Sequence, residues 1–305
     1  MDLTIVIPVL NRKAYLQRTL ESIPEAFPVI VVDNGSTDGS YEWCQAYAKR
    51  RGNLSVASES KAGAAAARNK GLGLCPSPWV YFFDSDDLFT GLPATWDEQA
   101  DLVCIPTRQQ RNGKPKTRPY EAVATPHTHI LNLMLNTQGM IFRTEFLRKI
   151  GGWDERCLMW DDWELGTRVL LHSPHVQWIT AEAFHTIFVH DDSLTGHDYS
   201  SRIDPIIKAL DVVFEDIYDA GKNTALPAEL RNKAFAALFY RSHILCGQVR
   251  REGSEEAARK VRDFISRRFQ VNRQSQEMGR LLEWGASKGI RGLWKVALWV
   301  TGLTK

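Results

Sequence analysis

The sequence predicts an α/β fold: a mostly parallel sheet flanked by helices, followed by a C-terminal helical region. Three observations carry this. Up to Phe83, short apolar runs alternate with segments of helical periodicity, and runs that are apolar throughout indicate strands covered on both faces. The runs stop in dense turn chemistry, as at Asp33-Asn34-Gly35-Ser36 and Asp84-Ser85-Asp86-Asp87. After Ser200 the strand signals give way to apolar stripes at helical spacing.

Leu3 to Val9 is the first strand, stopped at Asn11. Tyr15, Leu16, Thr19, Leu20 and Ile23 recur with helical period. Val29 to Val32 is a second buried strand and Tyr41 to Arg51 a second helix. Asn53 to Ser58 is a weaker strand, Ala62 to Leu72 an alanine-rich helix, and Trp79 to Phe83 a fourth strand. In such sheets ligands bind beyond the carboxyl ends of the strands, where Asp33 and Asp84 both fall. Gln109 to Pro126 is polar and reads as a loop, a candidate lid. Gly139 to Arg143 is a further strand, with a short helix through Leu147 and a turn at Gly151 to Asp154. Asp162 to His172 is helical, and Val176 to Thr180 and Ala183 to His190 resemble strands. Ile206, Ile207, Leu210, Val213, Phe214, Ile217 and Tyr218 then form one apolar stripe, with two or three more helices up to about Phe269.

The bulk composition narrows the function. A chain of 305 residues, 44% hydrophobic and 24% charged, is globular. A net charge of +2 gives no case for nucleic acid as a partner. Five scattered cysteines without Cys-x-x-Cys spacing argue against a disulfide framework or a zinc site and fit a reducing compartment. No secretory leader pattern precedes the first strand and no membrane-length apolar stretch occurs, so a cytoplasmic location is expected. Gly71-Leu72-Gly73 lacks the third glycine of a dinucleotide fingerprint, and no phosphate-binding P-loop or Gly-x-Ser-x-Gly elbow is present.

Asp84-Ser85-Asp86-Asp87 is the most informative segment. Three carboxylates at one sheet edge repel each other and raise their own pKa values unless a cation joins them. Hard oxygen ligands at this spacing suit Mg²⁺ or Mn²⁺, with a substrate phosphate completing the shell. The bland alternative is an acidic turn facing solvent, because Asp-x-Asp is short and common.

Three other clusters add to it. Asp33 and Asn34 can hydrogen-bond a nucleobase edge, although the segment also reads as a strand-to-helix turn with Ser36 or Asp38 as cap. Lys61-Ala62-Gly63-Ala64-Ala65-Ala66-Ala67-Arg68 offers an open helix N-terminus with Lys61 and Arg68 near anionic phosphates, or simply small residues packing on a sheet. Trp160-Asp161-Asp162-Trp163-Glu164 pairs carboxylates with bulky aromatics. It reads either as a near capping box from Asp161 to Glu164 or as a site whose Asp is a general base. His190, before Asp191 and Asp192, is a candidate metal or phosphate contact.

In order, these segments resemble glycosyltransferase family two, with its GT-A nucleotide-sugar fold. Thr4 to Arg12 resembles the family's first strand and Val31 to Gly39 its second. Ala67 to Leu72 resembles the helix before the metal motif, and Asp84 to Asp87 the Asp-x-Asp. Gly151 to Glu155 with Asp161 to Leu165 resembles the acceptor-side region. The resemblance covers residues 3 to 195. It implies a nucleotide-binding half over 1–108, an acceptor-binding half over 109–200 and a helical region over 201–305. It implies an inverting, metal-dependent transferase that moves a sugar from a UDP- or dTDP-sugar to a glycan or lipid-linked acceptor in cell-surface polysaccharide synthesis. Asp86 would be the principal metal ligand, with Asp84 near the ribose and metal. Pro8, Asn11, Asp33, Asn34 and Ser85 would line the donor pocket. Asp162 would be the base, with Asp161 standing where the family usually has Glu. A nucleotide-sugar-binding scaffold without catalysis is the competing expectation, and a nucleotidyltransferase a weaker one, since Pro8 to Arg12 contains no glycine.

Gly289 to Lys305 is too short and too charged to span a bilayer, but combines Trp294, Trp299 and aliphatic residues with Lys288, Arg291 and Lys295. It reads as a basic amphipathic helix at the inner face of the cell membrane, or as a last helix packed on the domain.

Overall fold

The structure, a computed structural model, describes residues 2–111, 114–118, 124–180, 184, 186–189, 198–223 and 226–303. In chain order the elements are β1 (Leu3–Val9), α1 (Lys13–Ser22), β2 (Val29–Asp33), α2 (Ser40–Ala48), β3 (Leu54–Ser58), α3 (Ala64–Leu74) and β4 (Trp79–Phe82). There follow β5 (Leu102–Cys104), β6 (Thr107–Arg111), β7 (Lys114–Arg118), α4 (Pro126–Leu131), β8 (Met140–Arg143), α5 (Thr144–Lys149), α6 (Asp161–Leu171), β9 (Val176–Trp178) and β10 (Thr186–Val189). The chain ends in α7 (Ile203–Asn223), α8 (Ala228–Arg251), α9 (Glu255–Arg268), α10 (Arg273–Ser287) and α11 (Leu293–Leu303). Two compact units result: Met1–Val123, Leu135–Glu155 and Pro174–Thr195 in one, and Ala124–Met134, Arg156–Ser173 and Gly196–Lys305 in the other.

The first unit holds a seven-stranded sheet in the order β3-β2-β1-β4-β8-β5-β9. It is parallel except at β8, which runs against both β4 and β5. Every residue of β2 and β4 is buried, as expected for strands covered on both faces. Pro8 lies where β1 has outrun β4, whose register with β1 ends at Val6↔Phe82. A residue with no N–H is tolerated there. Helix α3 lies unusually close to β1: a Cβ on Gly71 would fall 2.3 Å from a Val6 methyl. All five cysteines are free and buried.

Several sequence expectations are corrected. The segment from Gln109 is not simply a loop: β6 and β7 pair antiparallel, and β10 joins β6 in parallel to make a second, three-stranded sheet. A polar ribbon paired through its backbone has no apolar alternation to reveal it. Strand β5, only three residues long, carried no signal of its own.

In the second unit, α8 is the central helix and packs against α4, α7, α9, α10 and α11. Its core joins Ile206, Leu210, Val213 and Ile217 of α7 to Leu238, Leu245 and Val249 of α8 and to Val261 and Phe264 of α9. Tyr218, expected on that stripe, is exposed, while Ala209 and Val212 are buried. The helices run on past Phe269 through α10 and α11. The turn between these two is a Schellman motif: Gly289, at φ 75°, donates from its N–H to Ala286 O, and Ile290 N–H to Gly285 O. Helix α11 buries Ala297 and Thr301. No helix among the described residues is long and apolar enough to cross a membrane.

Candidate active site

The first unit gathers polar side chains at the C-terminal rim of β1, β2 and β4. Asp33 ends β2 and is buried. Its Oδ2 accepts from the N–H groups of Gly35 and Ser36, both at 3.0 Å. Its Oδ1 is buried with no hydrogen-bond partner among the described residues, an arrangement that calls for a donor from a ligand or water. Asn34 is differently engaged: its Nδ2 donates to the carbonyls of Glu59 and Lys61, and its Oδ1 accepts from Gly63 N. It thereby pins the loop between β3 and α3. Asn11 adopts φ 54°, a conformation Asn tolerates, and its Oδ1 accepts from Thr37 N at 2.8 Å. Asp38 accepts from Lys13 N at the start of α1 as well as from Ser40 N at the start of α2.

The acidic turn after β4 is held from three sides. Asp84 Oδ1 is 3.2 Å from Arg68 Nη2, and Asp86 Oδ2 is 3.3 Å from Arg12 Nε. Thr19 of α1 donates to the carbonyls of Ser85 and Asp87. Gln138 donates from its amide nitrogen to both Asp84 Oδ2 and Asp87 Oδ2. Asp87 and Ser85 are buried, whereas Asp84 and Asp86 keep some exposure. The Gln138 backbone is itself fixed, because Tyr81 Oη donates to its main-chain carbonyl at 2.9 Å. Sequence reasoning missed Arg12 and Gln138, since nothing in a lone Arg or Gln marks a partner in the fold.

Arg68 lies over the Trp153 ring, 4.4 Å from its centroid. Asn69 fixes that ring's backbone, accepting from Trp153 N and donating to Trp153 O and to Glu155. Lys61 is exposed and pairs with Glu155 at 2.6 Å. The Asn69 amide and then Lys61 hold the Glu155 carboxyl below the usual range.

No group of three or more His, Cys, Asp or Glu among the described residues cages a metal. The donor set nevertheless fits Mg²⁺ or Mn²⁺. Such ions keep several waters and bind through one or two carboxylates plus substrate phosphates, and Asp84 and Asp86 provide two partly exposed carboxylates. His190 lies outside the described residues. A hollow of about 300 Å³ lined by Pro76, Ser77, Pro78, Arg143 and Arg148 lies at the opposite end of β4 and has no such pair.

In the second unit, Asp161 and Asp162 form the first turn of α6, where negative charge is stabilised by the helix dipole. The expected capping box is not formed. The N-cap is Trp160, at φ 57° with no side-chain cap bond, and Glu164 pairs with Arg168 Nε at 2.6 Å. A left-handed Trp costs roughly 1–2 kcal/mol and must be held by its surroundings. Its ring packs against Trp163 and Tyr199, with the Arg241 guanidinium 4.7 Å from its centroid. Trp163 is anchored in turn: its Nε1 donates to Ile130 O, and buried His129 donates to its carbonyl.

The family described as Glycosyl transferase family 2 matches residues 4–149. The minor teichoic acid biosynthesis protein GgaB of Bacillus subtilis (strain 168) is 29% identical over 188 residues, 54% of this chain and 20% of GgaB. Glycosyltransferase GlyA of Streptococcus pneumoniae serotype 4 is 36% identical over 89 residues, 28% of this chain and 13% of GlyA. The chain thus spans well under half the length of these curated relatives. The crystal structure of S. aureus TarS 1–349 with UDP superposes with TM-score 0.64 at 17% identity, covering 95% of this chain and 92% of that one. A mannosyltransferase from Pyrobaculum calidifontis, in complex with GDP-Man and Mn²⁺, gives 0.56 at 16% identity, covering 99% and 84%. At these identities the likeness is one of fold, the GT-A fold.

Proposed function

We propose that the chain, whose residues 4–149 match glycosyl transferase family 2, is an inverting, metal-dependent glycosyltransferase of cell-surface polysaccharide synthesis. The donor is a UDP- or dTDP-sugar and the acceptor a glycan or a lipid-linked saccharide. The observation that carries this is the pair of partly exposed carboxylates, Asp84 and Asp86, each set by an arginine immediately beyond β4.

The buried, unpaired Oδ1 of Asp33 accepts the imide N–H of the base. Pro8, Asn11, Asn34 and Ser85 shape the pocket around it, and Lys61 and Arg68 bring positive charge to the diphosphate side. Asp86, with Asp84, would hold the Mn²⁺ or Mg²⁺. The ion supplies neutralisation of the charge developing on the leaving diphosphate. Asp162, assisted by Asp161, takes the proton from the acceptor hydroxyl as that oxygen bonds to the anomeric carbon. The bond from that carbon to the phosphate oxygen breaks in the same displacement, so no enzyme nucleophile is required. The reading includes peripheral contact with the inner face of the cell membrane through the C-terminal helix, where a lipid-linked acceptor is found.

The test is a thermal-shift screen of UDP-, dTDP- and GDP-sugars with Mn²⁺ and with EDTA, followed by transfer assays. Asp86→Ala is expected to lose the metal-dependent shift, and Asp162→Asn to keep it while losing transfer. Normal turnover by Asp162→Asn removes it from the base role. A shift in the wild type without donor hydrolysis or transfer points to the scaffold.

A further inference from the structure

We propose that α10, the Gly289 turn and α11 together form a docking face for a bilayer rich in anionic phospholipid. This rests on the peripheral contact proposed above, and it extends the contact from the tail to a second helix and names the lipid chemistry. Leu281 and Trp284 of α10 are each 54% exposed, Val296 and Trp299 of α11 are 42% and 66% exposed, and Ile290 in the turn is 49% exposed. Leu281, Trp284 and exposed Lys288 recur at i, i+3 and i+7, so they lie on one stripe of α10. Val296 and Trp299 form the corresponding stripe of α11. The Schellman turn presents Ile290 and Arg291 between them.

Charge chooses the occupant. Arg280, Lys288, Arg291 and Lys295 are all exposed, and none pairs with a carboxylate among the described residues. The one acid between Met278 and Leu303 is Glu283. It is buried and occupied by His243 and Arg262, each at 3.2 Å. Exposed Trp and aliphatic residues interleaved with unneutralised cations suit the headgroup region of an anionic leaflet. A second copy of this chain fits worse, because it would set four cations against four.

The test is cosedimentation of the full chain with phosphatidylcholine vesicles, with and without phosphatidylglycerol, at low and high salt. Binding is expected only to the anionic vesicles and is expected to weaken with salt. Lys288→Glu/Arg291→Glu/Lys295→Glu is expected to abolish it, at about fivefold or more per charge. Trp284→Ser/Trp299→Ser is expected to weaken it at least tenfold with an unchanged melting curve, since both rings are exposed. Equal binding to neutral vesicles, or wild-type binding by either variant, overturns the proposal. So does a dimer in sedimentation velocity that Trp299→Ser dissociates while no vesicle is bound, which assigns the face to a second copy. Vesicle binding is read without donor or acceptor, so its failure and failure of the nucleotide thermal shift are separate results.

Discussion

Arg12 Nε stands 3.3 Å from Asp86 Oδ2, so the carboxylate expected to bind a metal already has a cation beside it. The two positive charges would share one carboxylate. Both side chains keep some exposure, 30% and 20%, so the pair is worth at most about 1 kcal/mol. Arg12→Gln is therefore expected to lower the Mn²⁺ concentration that half-saturates the nucleotide thermal shift by about two- to fivefold. An unchanged or higher midpoint would show that Arg12 assists the metal rather than competing with it.

The amide of Gln138 bridges Asp84 and Asp87 with two N–H donors and carries no charge. Gln138→Met keeps the length and removes both donors, so buried Asp87 loses one of its hydrogen-bond donors. A loss of about 1–3 kcal/mol in urea unfolding is expected, with a weaker nucleotide shift as Asp84 loses its orientation. Gln138→Glu is the more discriminating change. The new carboxyl has one proton, so it can donate to only one of the two Asp side chains and only while protonated, and its two acidic neighbours raise its pKa. Stability is thus expected to be closest to wild type at acid pH and to be lost as pH rises, a slope absent from the wild type.

His129 gives the second unit a pH dependence of the opposite sense. Burial lowers its pKa from 6.5 to about 4, although its bond to the Trp163 carbonyl works the other way. Above 6.5 both folded and unfolded states are neutral and stability is complete. Between 6.5 and about 4 the unfolded chain binds a proton that the native one does not, so stability falls with pH, by up to about 3 kcal/mol. Unfolding measured across that window should be flatter for His129→Gln than for the wild type. A separate loss is expected lower down. Burial opposes ionisation of Glu283, but His243, Cys246 and Arg262 outweigh it and hold its pKa at about 2. Its contribution is present above the ordinary 4.5 and goes as pH falls towards 2.

Strands β1, β2 and β4 were legible because each is buried on both faces and so stays apolar along its length, whereas β3, at the sheet edge with only Leu54 buried, gave a weaker signal. Asp33 and Asp84 were legible because charge at the end of such a run is hard to explain by packing. The β6–β7 ribbon was hidden by its polar composition, and β5 by its brevity. The expected Asp161 cap failed for a different reason. Trp160 is held at positive φ by the neighbouring Trp163 ring, the Tyr199 ring and the Arg241 guanidinium, and local pattern carries no trace of the last two, which are distant in sequence. Gln138 and Arg12 were invisible on the same ground, their meaning being wholly tertiary.

Gly71 touches no charged group, yet it sets a length. Its bare Cα lets α3 rest against Val6, and Arg68 stands one turn earlier on the same helix face. The reach from that guanidinium to Asp84 is therefore gauged by how nearly two backbones can approach, with a hydrogen atom as the spacer. A single methyl at position 71 would lift the helix and carry the arginine with it, so a residue with no chemistry of its own calibrates the placement of charge at the rim.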